Sequence, residues 1–179
     1  MAHSVNSPEW HFQQILRHLG EDVSREGLIE TPKRFIKMMR EVTSCPDFNL
    51  TQFENDMGQE PVVVTGIPFY SLCEHHAAPF FGTAKIGYVP NKTIVGISKI
   101  PRVLDMFSKR LQNQERITKQ VAEYIMEKIN PLGVAVCIEA RHLCMEMRGV
   151  KKCGANTVTT YFSGKYFEDA ENKKQFLNR

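Results

Sequence analysis

The sequence predicts an α+β fold, helices first and then an antiparallel sheet with further helices, on three observations. Apolar residues recur at helical spacing up to about residue 45. From Pro61 the period shortens to that of strands. The chain then returns to helical spacing over 98–110 and 113–129 before two more alternating runs.

Ser7 and Pro8 open the first helix, as an oxygen-bearing cap and a proline tolerated in the first turn. Phe12, Ile15, Leu16 and Leu19 follow on one face, and Gly20 marks the stop. A second helix is expected with Thr31 as its cap and Pro32 in its first turn, with Phe35, Met38, Met39 and Val42 apolar on one side. Arg34 falls off that side, where an arginine is by default solvated. Cys45–Glu60 is polar and aperiodic, and reads as a loop.

Val62, Val63 and Val64 begin a strand that runs through Phe69 and Tyr70. Thr83–Val89 alternates as a second strand, antiparallel to the first, and ends in the turn Pro90-Asn91. Ile94–Ile97 suits a short strand leading into Ser98. Ser98 is the expected cap of a helix reaching Arg110, packed through Val103, Leu104, Met106 and Phe107. Lys99 and Arg102 fall in its first turn. They are either solvated or, with the Ser98 hydroxyl and the helix N-terminus, a cradle for phosphate.

Asn113 caps the longest helix, which buries Ile117, Val121, Tyr124, Ile125 and Ile129 and ends at Asn130-Pro131-Leu132-Gly133. Gln114 and Glu115 sit at its start, where a glutamate either complements the dipole or serves a ligand. A strand is expected over Val134–Met145, with His142 and Cys144 on one face and Cys137 on the other, and Arg148 in the parity of Cys144 if it continues. Asn156–Phe162 alternates as the last strand, and the tail from Gly164 is polar and helical near its end.

A chain of 179 residues, 42% hydrophobic, can bury one good core, and it reads as a single domain over 1–179 with an N-terminal helical region to 45 and a catalytic region over 61–179. A net charge of +3 is too mild for a nucleic-acid surface, yet suits a small anionic ligand. No apolar run is long enough to span a bilayer and the first residues lack the apolar core of a signal peptide, so a soluble cytoplasmic protein is expected. The five cysteines, an odd number without an export signal, favour metal or free-thiol roles over disulfides.

The chemistry concentrates in Ser71–Gly82, SLCEHHAAPFFG, and in EARHLCMEMRG. Thiolate and imidazole are ligands zinc prefers, but Cys73 and His76 supply only two of them. Cys144 completes a set of three protein donors, the pattern of catalytic zinc whose fourth position holds water. His75 and His142 are then spare imidazoles beside that position.

Taken in order, ETPKRF, FYSLCEHHAAPFFG, GISKIPRVLDMFSKRLQNQER, IEARHLCMEMRGV, NTVTT and KKQFL resemble the GTP cyclohydrolase I family over most of the chain. The resemblance implies a tunnelling fold, an antiparallel sheet with helices packed on one face whose sheets join between subunits into a barrel. It implies a homodecamer of two pentameric rings with active sites at subunit junctions. It also implies conversion of GTP to 7,8-dihydroneopterin triphosphate and formate, the first step of pterin and tetrahydrofolate-type biosynthesis. Carried over by residue, it puts Zn2+ on Cys73, His76 and Cys144, acid–base work on His75 and His142, and guanine anchoring on Gln114 and Glu115. Arg34, Ser98, Lys99, Arg102 and Arg148 fall on its triphosphate contacts. Two rival classes are a nucleotide-binding module with a structural zinc and another tunnelling-fold enzyme, either a cyclohydrolase variant that stops at an earlier product or a nitrile reductase. A nitrile reductase would depend on a nucleophilic cysteine and a nicotinamide cofactor.

Overall fold

The computed structural model describes residues 4–56 and 58–178, which form two compact units, one up to Ser44 and one from Cys45. The first unit holds α1 (Pro8–His18), α2 (Glu26–Ile29) and α3 (Thr31–Val42). Ser7 caps α1, its hydroxyl accepting from the Trp10 N–H at 3.1 Å. Phe12 of α1 and Phe35 of α3 stack with ring centroids 3.8 Å apart, which joins the two helices through the apolar faces their spacing predicts. Thr31 is not the cap of α3 but its first helical residue. Its hydroxyl donates to the Gly27 carbonyl at 3.1 Å, because α2 ends two residues earlier, at Ile29, and leaves Glu30 already close to helical geometry. Arg34 is exposed on α3.

The second unit is built on a five-stranded sheet, ordered β5 (Leu111–Gln112), β2 (Val62–Cys73), β3 (Pro79–Val89), β6 (Gly133–His142), β7 (Asn156–Gly164). Its pairings are antiparallel except for the two-residue β2–β5 contact. The β2–β3 register shifts between Val64 and Ile67, where Gly66 takes a φ of +65°, a value that favours glycine. The segment 45–60 is not wholly a loop. β1 (Gln52–Glu54) pairs with β4 (Thr93–Val95) in a separate two-stranded sheet, Phe53 opposite Ile94. Three residues carry no readable period, and the partner that supplies their hydrogen bonds lies far along the chain.

α4 (Lys99–Ser108) and α5 (Gln114–Ile129) cover one face of the sheet. Ile117, Val121 and Ile125 of α5 pack in one cluster with Val134, Val136 and Ile138 of β6 and with Phe69 and Phe80. Each buried aliphatic side chain there stabilises the fold by about 1.5–3 kcal/mol relative to leaving it in water. Asn113 caps α5 as expected, and Asn130 ends it in left-handed geometry. Ser98 occupies the cap position of α4, but its backbone is helical and its hydroxyl makes no capping bond. The turn before α4 supplies carbonyls instead, Gly96 to the Lys99 N–H at 2.8 Å and Ile97 to the Ile100 N–H at 3.2 Å.

Ala135 of β6 belongs to a second, smaller cluster with Val89, Tyr166 of α7 (Lys165–Glu168) and Phe176 of α8 (Ala170–Asn178). Gly87 makes room for it, since a Cβ there would stand 2.9 Å from Tyr166 Oη and 3.2 Å from the Phe176 ring. Cys137 packs against this cluster, away from the site chemistry, and burial pushes its thiol pKa up. The strand expected over Val134–Met145 ends at His142, and the one-turn helix α6 (Leu143–Glu146) follows. Cys144 therefore does not share a strand face with His142. The chain turns here because Arg141 holds the buried Glu146 carboxylate by two hydrogen bonds, at 2.8 and 2.6 Å. Among the described residues no helix is long and apolar enough to cross a membrane.

Candidate active site

The turn from β2 to β3 carries Cys-Glu-His-His. It closes tightly on Cys73, whose carbonyl accepts from the N–H groups of His76 at 3.2 Å and Ala77 at 2.8 Å, and whose N–H donates to Ala78 at 2.8 Å. Cys73 Sγ consequently lies 3.8 Å from Nδ1 of both His75 and His76. Across the β3–β6 pairing, Phe80 stands opposite His142, which brings the start of α6 beside this turn. The donor atoms of Cys73, His76 and Cys144 all lie within 4.8 Å of one another.

That donor set fits a tetrahedral divalent ion. Metal–sulfur and metal–nitrogen bonds of about 2.3 and 2.0–2.1 Å require donors roughly 3.5–4 Å apart. Burial pushes the Cys144 thiol pKa up, and the adjacent Cys73 thiol adds to the effect. The crowded Cys144 thiol resists ionisation until a cation compensates it, which is what a metal does. Cys153 stands outside this group, its Sγ 3.8 Å from the Glu146 carbonyl.

Around the three donors opens a cleft of about 220 Å³, lined by His75, His142, Gln114 and Glu115 among others. The His142 ring stacks on the buried Phe80 ring, centroids 4.6 Å apart and planes 4° from parallel. Burial pushes the His142 pKa below its usual value, while the negative charge of Glu115 works in the opposite direction. His75 is exposed on the turn, its Nε2 3.9 Å from Glu74. Glu115 is exposed at the start of α5, whereas Gln114 is 1% exposed and its amide is fully engaged within the protein.

Ser98, Lys99, Arg102 and Arg148 are not among the side chains lining this cleft. At the start of α4 the backbone N–H groups of Lys99 and Ile100 are already bonded, so an anion there would meet side chains rather than a free helix N-terminus. Arg34 belongs to the first unit.

Two residues that sequence patterning passes over, Glu74 and Arg116, hold the site together with the helix cap Asn113. Glu74, between Cys73 and His75, accepts from Arg116 at 2.6 and 3.0 Å and from Asn113 Nδ2 at 3.1 Å. Asn113 uses its other side-chain atom to cap α5, accepting from the Arg116 N–H at 2.8 Å. An acid inside the Cys-Glu-His-His run was the available signal for Glu74. Arg116, 42 positions away, offered none.

A profile of the family described as GTP cyclohydrolase I matches residues 9–179. Among curated relatives, the GTP cyclohydrolase 1 of Porphyromonas gingivalis is 49% identical over 174 residues, covering 94% of this chain and 89% of the relative. That of Sulfurihydrogenibium sp. is 48% identical over 180 residues, covering 99% and 96%. That of Caldanaerobacter subterraneus subsp. tengcongensis is 47% identical over 170 residues, covering 92% and 90%. With a match along nearly its whole length and a Cys-His-Cys donor set beside two imidazoles, the chain belongs to the GTP cyclohydrolase I family of enzymes.

Proposed function

We propose that the chain hydrolyses and rearranges GTP to 7,8-dihydroneopterin triphosphate and formate, using a Zn2+ ion held by Cys73, His76 and Cys144. The observation that carries this reading is the convergence of those three donors on one cleft with two imidazoles left over. When bound, the ion supplies Lewis acidity that makes water a nucleophile near neutral pH.

The chain's own residues do the rest. Glu115 presents a carboxylate to the N1–H and 2-amino group of guanine, a donor pair that adenine lacks, with Gln114 beside it at the guanine end. His142 lies in a partly desolvated position that favours the neutral ring, so it can accept and return a proton at the imidazole portion of the purine. His75, exposed beside it, serves the second proton transfer. One water opens the imidazole ring, a second releases formate, and one is returned when the pterin ring closes.

Arg34, Ser98, Lys99, Arg102 and Arg148 contact the triphosphate. A cleft of about 220 Å³ is small for a nucleoside triphosphate, since small-molecule sites run to about 300–1,000 Å³. This supports a site completed by neighbouring copies, in a decamer of two pentamers. Support also comes from β7, which pairs only with β6 among the described strands and leaves an edge free for a second sheet. The chain acts as one catalytic domain over 1–179, in the cytoplasm, at the first step of pterin and tetrahydrofolate-type synthesis.

The test is to incubate metal-loaded protein with GTP and follow formate and the pterin chromophore, beside chelated and ATP samples. Formate and pterin from GTP alone, abolished by chelation, is the expected result. Formate without pterin, or neither product from assembled, metal-loaded protein, would overturn the reading.

A further inference from the structure

The carboxamide of Gln114 can be oriented from its neighbours. Its Nε2 lies 2.9 Å from the Ile138 carbonyl, 2.9 Å from the Thr157 carbonyl and 3.1 Å from Thr159 Oγ1. A carbonyl oxygen only accepts, so the atom facing two of them must be the amide nitrogen. The hydroxyls close a directed chain behind it. Thr118 donates to the Gln114 backbone carbonyl at 2.8 Å, which leaves Thr159 to donate to Thr118 across 2.6 Å and to accept from Gln114.

With the nitrogen so placed, Gln114 Oε1 is the atom 2.8 Å from His142 Nε2. An amide oxygen accepts, so His142 Nε2 carries a proton whether the ring is neutral or charged. Nδ1 has no hydrogen-bond partner among the described residues and is the nitrogen left for exchange. Phe80 sets the plane of the ring by stacking and Gln114 sets which edge faces inward. Gln114 is 1% exposed and its amide protons are committed, so little of it remains to bind a base.

We propose that Gln114 is a positioning residue that locks His142 in one orientation and one tautomer, with Nε2 protonated against the amide and Nδ1 presented to the substrate. This rests on the reading of His142 as the acid–base group of the GTP reaction. Gln114 then shapes the guanine end of the cleft through His142, and Glu115 is left to select the base. The local structure is suited to this, since β6 and β7 both contribute partners to the one amide, which α5 carries.

The test uses the full chain loaded with metal. In protein carrying 15N-labelled histidine, the signals of His142, assigned by their disappearance in His142→Gln, should show Nε2 protonated throughout and the neutral ring as the Nε2–H tautomer. Gln114→Leu should lose that pattern and lower kcat on the order of 10–100-fold, with KM for GTP changed by no more than about twofold. Thr159→Val removes one of the three acceptors and should produce a smaller fall of the same kind, which keeps the test alive if Gln114→Leu does not retain metal. A neutral ring protonated on Nδ1 rather than Nε2 in the wild type would overturn the proposal. So would variants whose KM rises at unchanged kcat, the result for a direct guanine anchor. If the wild type makes no formate from GTP, the cyclohydrolase reading fails, and the tautomer of His142 still decides the role of Gln114.

Discussion

Arg116 meets Glu74 in a two-point pair, Nη1 to Oε2 at 2.6 Å and Nη2 to Oε1 at 3.0 Å, and so ties the turn carrying Cys73, His75 and His76 to the start of α5. The pair holds the Glu74 carboxyl below its usual range, the Arg116 hydrogen bonds being the main cause. Groups that orient ligands from behind commonly change metal affinity by about 10–100-fold when removed. Arg116→Ala should therefore release metal to a competing chelator about 10-fold faster, because the turn loses its anchor. Unchanged release would show that the turn's own hydrogen bonds suffice.

Cys73→Ser and Cys144→Ser should each lose bound metal and formate release together, measured by elemental analysis and product assay. His75→Ala should separate the two, keeping metal while turnover falls on the order of 100-fold or more. Loss of metal in His75→Ala would make His75 a ligand rather than a proton carrier.

Glu115→Ala should raise KM for GTP on the order of 10–100-fold, the range for a charged hydrogen-bond partner removed, with metal content unchanged. Discrimination against ATP should weaken in parallel. An unaltered preference for GTP would take Glu115 out of base selection.

The buried Glu146 has its pKa lowered, chiefly by the Arg141 hydrogen bonds. Its folded value thus lies below its unfolded value, and the unfolded state binds the extra proton first as acid is added. The pair's contribution is present above the unfolded carboxylate range, near pH 4.3, and is lost as pH falls through the folded pKa. Glu146→Gln should lower Tm at neutral pH, and the gap to wild type should narrow between about pH 5 and pH 2. A gap that stays constant would mean that packing of α6, not charge, is what Glu146 supplies.

The sequence by itself determined the longer helices and strands and the donor types. Helical and strand periods lie within a few residues of one another and are readable directly, as are the Ser7 and Asn113 caps. Cys73 and His76 converge because they flank a single tight turn, so their spacing already contained that relationship. What lay outside its reach was every feature made by partners distant along the chain. Strand parity set Cys144 on the face of His142, yet the Arg141–Glu146 pair ends β6 at His142, and a helical turn delivers the thiol instead. The brief β1–β4 pairing, the Glu74–Arg116 bridge and the contacts of the Gln114 amide link positions 24 to 45 residues apart. Periodicity reports only which side of an element faces the core. Which polar atoms meet there is decided when strands and helices pack and each buried donor must find its acceptor.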